Sequence, residues 1–277
     1  MEKILVPCDF SDQAIHAFRL ALDIARSSRA EVHLLHVIEL PIMHDDVLTP
    51  LPSFDETLLK ELSERAEIKM LELKQEAKEG AFVVTKIEFG PILSIITNYQ
   101  EENEVNLIVM GTKGISGMAE VFIGSNAEKV VRHAACPVVV VKRQTEIEEL
   151  KHIVFPNSME QGQEDLVMHV KALQNALKAT LHIVWIDTTD RPGDPSAIKQ
   201  QLEAFAKRFM IRDYTVNVFK ASDRETGIIN FTHWINASMI AMGTHARKGL
   251  SHFFKGSVTE DVVNHVDCPI WTYAIKR

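Results

Sequence analysis

Residues 110–125 read MGTKGISGMAEVFIGS, and residues 242–257 read MGTHARKGLSHFFKGS. Both segments continue to a Cys-Pro pair, at Cys136 and at Cys268, and partner residues are 132 positions apart throughout. Over residues 110–137, 13 of 28 positions are identical to their partners. Self-similarity at a fixed spacing is typical of a duplicated unit, so the chain is predicted to hold two copies of one fold.

The first strands of the two copies also match, at a different spacing. Ile4–Pro7 (ILVP) pairs with Ile153–Pro156 (IVFP), 149 positions later, so the second copy is shorter by 149 − 132 = 17 residues. The extra length of the first copy is assigned to Leu40–Glu61, a stretch with three prolines. We therefore predict a first domain over 1–145 and a second over 150–277, joined by a charged connection without apolar periodicity.

Both copies alternate short apolar runs with segments of helical periodicity. In the first copy, the predicted strands are 3–7, 31–38, 82–89, 107–110 and 137–141, and the helices after the first are predicted at about 55–79, 91–102 and 124–134. This order predicts an α/β fold with a parallel sheet covered on both faces. The apolar fifth strand is expected at a sheet edge, so the two copies are predicted to cover each other's edges as an intramolecular pseudo-dimer.

Composition and charge exclude several classes of protein. The chain is 46% apolar and 25% charged, which are ordinary globular values, and no apolar run approaches the about 20 residues of a membrane-spanning helix. The net charge is −8, and residues 1–143 hold 15 basic and 22 acidic residues, which argues against a nucleic-acid groove. Three scattered cysteines and the absence of a signal-peptide pattern favour a reduced, cytoplasmic location.

The glycines of the repeated segment have the spacing Gly111-x2-Gly114-x9-Gly124-Ser125. Glycine lets a backbone approach phosphate oxygens closely, and free amides at the start of the following helix bind anions. The alternative is that these residues are ordinary loop glycines and an N-cap serine, and the spacing alone leaves both interpretations open. The segment is neither a Walker loop nor a dinucleotide fingerprint.

Four motifs together resemble the universal stress protein family: ILVPCDFSD at 4–12, LLHVIE at 34–39, the G-x2-G-x9-G-S spacing, and CPVVVV at 136–141. The resemblance covers nearly the whole chain as two tandem domains. It implies doubly wound, Rossmann-like domains with five parallel strands in the order 3-2-1-4-5, paired through strand five. It also implies binding of ATP, with or without Mg²⁺, by members that carry the glycine motif.

The resemblance implies a nucleotide site in the first domain. Asp9 would hold the adenosine part of ATP, and the backbone at Val37 would read the adenine edge. The turn, ribose and phosphate positions would be Pro7, Met110, Gly111, Gly114, Gly124, Ser125 and Asn126. The residues themselves also allow other roles, because Asp9 could cap the helix that begins near Ser11, and Val37 suits a core without any ligand.

The second copy departs from this pattern. The counterparts of Asp9, Val37, Gly114 and Asn126 are Ser158, Ile186, Ala246 and Val258, while Gly243, Gly256 and Ser257 remain. Loss of the carboxylate removes a charge-assisted hydrogen bond worth about 1.5–3 kcal/mol. We therefore predict that ATP binds mainly in the first domain and that the second is a degenerate, structural or regulatory copy.

These observations lead to a cytoplasmic ATP-binding regulator of the stress response, without nucleic-acid or membrane partners. The alternative is an interaction or scaffold protein of the same fold that binds no nucleotide. An adenylate-forming enzyme would need an SGGxDS or HIGH motif, and neither occurs. No residue is assigned to catalysis or to a metal, weak ATP hydrolysis stays open, and so does further homodimerisation.

Overall fold

The structure is a computed structural model that describes residues 1–39, 56–77, 80–112, 123–188, 194–245 and 265–275, together with residues 258 and 262. In the first domain the elements are β1 (Lys3–Pro7), α1 (Asp12–Ser28), β2 (Glu31–Ile38), α2 (Glu56–Glu76), β3 (Phe82–Phe89), α3 (Ile92–Glu102), β4 (Leu107–Gly111), α4 (Ser125–His133) and β5 (Val138–Val141).

A single 3₁₀ turn, Ile147–Glu149, precedes the second domain. Its elements are β6 (His152–Pro156), α5 (Glu164–Leu177), β7 (Thr180–Asp187), α6 (Pro195–Arg208), β8 (Tyr214–Lys220), α7 (Arg224–Trp234), β9 (Met239–His245) and β10 (Ile270–Ile275). The alternation of strand and helix follows the prediction. Element ends differ by a few residues; for example, α2 ends at Glu76 rather than near residue 79.

All ten strands form one sheet in the order β3-β2-β1-β4-β5-β10-β9-β6-β7-β8. The first five strands have the implied order 3-2-1-4-5 and pair in parallel, which confirms the predicted fold class. β5 and β10 pair antiparallel, with Val139 opposite Trp271. Each domain thus covers the other's fifth strand, and the predicted intramolecular pseudo-dimer is confirmed.

The two faces of the sheet are packed differently. On the face of α1 and α5, one apolar core runs through both domains and includes Trp271, which is 1% exposed. On the opposite face each domain has its own cluster, one around Leu35 and Val130 and the other around Val184 and Phe231. Ile123, just before α4, packs against both of these clusters. The two domains therefore share one core and a second apolar contact through Ile123.

Helix α1 shows how the sequence determines the local geometry near the end of β1. Its N-cap is Ser11, whose side chain accepts a hydrogen bond from the amide of Ala14, and its C-cap is Arg29, which has a left-handed backbone with φ 58°. Its buried residues, Ala14, Phe18, Leu22 and Ala25 among them, recur at the expected helical spacing. Within the ranges described above, no helix has both the length and the apolar character needed to cross a lipid bilayer.

Candidate functional site

The strand order creates a crevice beside β1. β1 pairs with β2 on one side and with β4 on the other, with Ile4 opposite Leu107. In open α/β sheets, ligands bind beyond the carboxyl ends of the strands at such a reversal of strand order. Because β1 and β4 are neighbours, the turn that follows Pro7 and the end of β4 at Gly111 meet at this crevice.

A pocket of about 440 Å³ opens at the crevice. Of the nine residues predicted for the nucleotide site, eight lie around it: Pro7, Asp9, Val37, Met110, Gly111, Gly124, Ser125 and Asn126. The ninth, Gly114, lies outside the described residues. The structure therefore brings residues from four separate stretches of the chain to one cavity.

One wall of the pocket is apolar. It combines side chains of β2, α3 and β4, namely Leu35, Val37, Ile92, Ile96 and Met110. Leu35, Ile96 and Met110 are at most 6% exposed and belong to the apolar cluster beneath the pocket. A wall of this kind, held by a packed core, suits one face of a planar aromatic group.

The N-terminus of α4 forms another part of the pocket lining. The N-cap is Gly124, so no side chain caps the helix, and Ser125 is its first helical residue. The first amides of a helix lack intrahelical acceptors and carry partial positive charge, which makes them an anion site. The amide of Gly124 donates to the carbonyl of Thr112, which fixes α4 against the end of β4.

Asp9 supports the turn at the end of β1. Its Oδ1 accepts hydrogen bonds from the amide of Ser11 at 3.0 Å and from the Ser11 hydroxyl at 2.6 Å. Asp9 therefore holds the N-cap residue of α1 and does not cap the helix itself. Phe10 has φ 65°, a left-handed conformation that is unusual for an aromatic residue. Asp9 lines the pocket at this turn.

Gly111 has a packing role that the sequence did not reveal. A methyl group on it would lie 2.7 Å from the backbone carbonyl carbon of Gln13 and 2.8 Å from Gln13 Cβ. α1 therefore approaches β4 closely at the only kind of residue that permits it. The glycine is required by the fold whether or not a phosphate binds nearby.

A family model described as "Universal stress protein family" matches residues 1–142 and again residues 149–273. The chain belongs to the universal stress protein family. The two successive matches make it a tandem member, in agreement with the internal repeat and with the two five-stranded halves of the sheet.

Individual relatives support the same assignment. A universal stress protein of Methanocaldococcus jannaschii is 33% identical over 143 residues, covering 51% of this chain and 82% of that protein. The universal stress protein YxiE of Bacillus subtilis is 32% identical over 145 residues, which cover 50% of this chain and 98% of that protein. The crystal structure of a universal stress protein from Archaeoglobus fulgidus matches 99% of this chain and 98% of that one, with 19% identity and a TM-score of 0.77. This last likeness shows that the two-domain fold is shared.

The corresponding region of this universal stress protein's second domain is built differently. Asn157 Oδ1 accepts a hydrogen bond from the amide of Met159 at 2.6 Å, and its Nδ2 donates to Gln163 at 2.8 Å. Asn157 and Gln163 are both buried, so the turn after β6 is closed by its own side chains. A methyl group on Gly227 of α7 would overlap with Ile186, the counterpart of Val37. α7 therefore packs tightly where the first domain has its apolar wall.

The remaining predicted positions of the second domain are only partly described. Gly243 lies beside Leu166 and Ile275, whose side-chain carbons would be 2.8 and 2.9 Å from a methyl group on it. Gly256, Ser257 and Ala246 lie outside the described residues. Gly243 therefore also has a packing role, against flexible side chains rather than backbone.

Sequence reasoning missed several residues around the first-domain pocket. Ala14, Glu39, Ile92, Ile96, Thr112 and Ala127 also line it. The amphipathic pattern of α3 places Ile92 and Ile96 on one face, which is a usable signal, but nothing in the sequence says which cavity that face meets. Cys8 lines the pocket at 4% exposure, and burial raises the pKa of its thiol to about 12, so it is a protonated wall residue and not a thiolate.

Proposed function

We propose that this universal stress protein binds ATP in the first-domain pocket and acts as a nucleotide-responsive regulator. The observation that carries the proposal is the composition of the pocket: an apolar wall, a carboxylate and a helix N-terminus around one cavity. These groups match the base, ribose and phosphates of a nucleotide, respectively. The volume of about 440 Å³ is in the usual range for a small-molecule site.

Each part of the nucleotide has a proposed partner. The base lies against Val37 and Met110, the ribose hydroxyls donate to the Asp9 carboxylate, and the phosphates accept from the amides of Ser125 and Asn126. A carboxylate that accepts hydroxyl hydrogens contributes about 1.5–3 kcal/mol. Mg²⁺, where present, accompanies the phosphates. This arrangement uses backbone amides for the anion, so it is compatible with the acidic first domain.

We propose that binding is asymmetric. The second domain has Ser158 where the first has Asp9, and its turn is closed by the hydrogen bond between Asn157 and Gln163. The tight packing of Gly227 on Ile186 further reduces the room available to a base. The second domain then has a structural or regulatory role.

The proposed regulation is a shift in conformational population. A ligand changes an equilibrium only by binding one state better than another. Ile123 lies directly before the N-cap of α4 and packs against the second domain's apolar cluster. The first proposed phosphate amide, that of Ser125, is therefore two residues from the interdomain contact. Nucleotide occupancy is thereby linked to the surface that the paired domains present. The free cysteines are consistent with the cytoplasmic location that we propose.

The scaffold alternative has one observation in its favour. The close approach of Gly111 to Gln13 explains a motif glycine without any ligand. A scaffold would keep the fold and the pairing of the domains while the glycine segments serve only as turns.

The deciding experiment is to denature the purified protein, quantify released nucleotide per chain, and titrate the stripped protein with Mg-ATP. We expect about one ATP per chain, with Asp9→Ala weakening binding by about 10- to 100-fold. The matched control is Ser158→Ala at the equivalent position, which should bind like the wild type. Absence of binding in the wild type would favour the scaffold, and equal weakening by both variants would contradict the asymmetry.

A further inference from the structure

Two histidine rings lie side by side on the second domain's sheet, away from the pocket. His152 Nδ1 and His182 Nε2 are 3.1 Å apart. His152 is the first residue of β6, and His182 is the third residue of β7. Both strands are parallel, and Val154 lies opposite His182, so the two histidines occupy the same face of the sheet. The pair therefore lies at the amino ends of these strands, whereas the proposed nucleotide pocket lies at carboxyl ends.

A third side chain orients one of the rings. His182 Nδ1 is 2.9 Å from the hydroxyl of Thr215 on the neighbouring strand β8, and that hydroxyl also accepts a hydrogen bond from Asn217 at 2.9 Å. When His182 donates from Nδ1 to Thr215, the lone pair of its Nε2 is directed toward His152. Ligating histidines usually have their second nitrogen held in this way, because the outer hydrogen bond fixes the tautomer and the ring orientation.

A carboxylate lies near the pair. Asp213 accepts a hydrogen bond from the hydroxyl of Thr180, the residue opposite His152 in the parallel pairing of β6 with β7. A nearby carboxylate adds negative potential, which favours a bound cation.

We propose that His152 and His182 form a binding site for a borderline divalent transition-metal ion, such as Zn²⁺, Ni²⁺ or Cu²⁺. Two nitrogens bound to one ion at about 2.0–2.1 Å are about 2.9–3.4 Å apart for octahedral to tetrahedral angles. The observed 3.1 Å is within this range. Imidazole nitrogen selects these ions over Mg²⁺ and Ca²⁺, which prefer oxygen.

Water completes the coordination shell in this proposal. In the described part of the chain, no three histidine, cysteine, aspartate or glutamate residues form a group that could hold a metal ion. The site therefore has two protein ligands, and its affinity is below that of three- and four-ligand sites. Because His152 is exposed, the ion keeps open positions, which a donor group from a partner can fill.

The first domain is an internal comparison. The residues equivalent to His152 and His182 are Lys3 and His33. His33 is 5% exposed and its Nδ1 is 2.8 Å from the hydroxyl of Tyr99. Lys3 carries an ammonium group, which cannot coordinate a metal ion while it is protonated. The histidine pair is thus specific to the second domain, whose nucleotide motif has departed from the pattern.

The test uses the full-length protein without a histidine tag, titrated with Zn²⁺ in competition with a chromophoric chelator. We expect His152→Ala and His182→Ala each to lose one equivalent of bound Zn²⁺. The matched control is His233→Ala, which replaces an exposed histidine on α7 and should still bind that equivalent of Zn²⁺. Thr215→Val should keep the stoichiometry and weaken binding by about 10-fold or more, since it removes the orienting hydroxyl.

A spectroscopic measurement identifies the ligands directly. With one equivalent of Cu²⁺, the wild type should show coupling to two imidazole nitrogens in electron paramagnetic resonance, and His152→Ala should not. If His182→Ala fails to fold, His152→Ala decides alone, because its side chain is exposed. Unchanged stoichiometry and affinity in His152→Ala would overturn the proposal and leave the pair as a hydrogen-bonded contact between strands.

Discussion

The Cα of Gly111 is so close to Gln13 that a methyl group on it would lie 2.9 Å from the Gln13 carbonyl oxygen and 2.7 Å from its carbonyl carbon. The neighbouring atoms are backbone atoms of the first turn of α1, which cannot move without displacing the helix. The same turn is capped by Ser11, which Asp9 holds. The packing of Gly111 and the position of the proposed ribose ligand are therefore coupled.

We expect Gly111→Ala to destabilise the protein by about 1–3 kcal/mol, because the added methyl overpacks a rigid backbone contact. Gly243→Ala is the matched variant at the equivalent position. Gly243→Ala should lower the free energy of unfolding by less, because the neighbours of Gly243 are the ends of the Leu166 and Ile275 side chains, which can move. Urea unfolding of both variants measures the difference. A larger effect at Gly243 would contradict the packing explanation.

Ser125→Pro tests the amide-based anion site with little disturbance to the fold. Proline is well tolerated at the first helical position, and Gly124 already has φ −65° and ψ 148°, as a residue before proline requires. The substitution removes one amide hydrogen at the pocket, so ATP affinity should fall by about tenfold or more while stability stays near the wild type.

Ser125→Ala is the control, because it keeps the amide and removes the hydroxyl. Isothermal titration of both variants with Mg-ATP separates the two groups. Wild-type affinity in Ser125→Pro would exclude the N-terminus of α4 as the phosphate site.

The buried thiol of Cys8 predicts a loss of stability at alkaline pH. Burial raises its pKa from 9.0 to about 12, so the folded protein keeps the proton while the unfolded chain loses it above pH 9. The contribution of the protonated Cys8 thiol to the free energy of unfolding is complete below pH 9. It falls by about 1.4 kcal/mol per pH unit as the pH rises toward 12. The free energy of unfolding of Cys8→Ala should therefore fall less steeply with rising pH than that of the wild type.

Urea unfolding at pH 8, 9 and 10 under reducing conditions measures this slope. Any cavity left by Cys8→Ala shifts the free energy equally at each pH, so only the difference in slope is diagnostic. Parallel curves would mean that the Cys8 thiolate is accommodated in the folded state.

The proposed domain boundary predicts how the first domain behaves alone. A fragment over 1–145 exposes the edge of β5, four consecutive valines that β10 covers in the full chain. We expect the fragment to fold and to dimerise through β5, and Val139→Lys to make it monomeric. Sedimentation velocity distinguishes these outcomes. A folded wild-type fragment that stays monomeric would contradict the proposed role of this edge.

The repeat made the architecture predictable. Two spacings, 132 and 149, were sufficient to align the copies, and the apolar character of Val138–Val141 indicated an edge that a second copy covers. Parallel strands with helical connections allow few arrangements, and the resemblance selected one strand order among them. The resemblance assigned the pocket residues of β1 and β4, and the structure brings them together because the carboxyl ends of neighbouring parallel strands meet at one edge.

Close contacts between elements were not predictable. The sequence shows a glycine at position 111 but not that Gln13 is its neighbour, and it shows Phe10 without its left-handed backbone. Likewise, His152 and His182 are 30 residues apart, and only the strand register brings their rings together. Such facts depend on the relative placement of elements, which residue patterns do not encode.

The antiparallel pairing of β5 with β10 reverses the second domain relative to the first. The carboxyl ends of the first five strands and the amino ends of the last five therefore lie along one rim of the sheet, so the pocket and the histidine pair share that rim. Ile123 joins the apolar clusters beneath both, so they also share one face. Four to six strand spacings separate them, about 20–30 Å. A single partner of ordinary domain size, seated on that rim, would be large enough to span this separation.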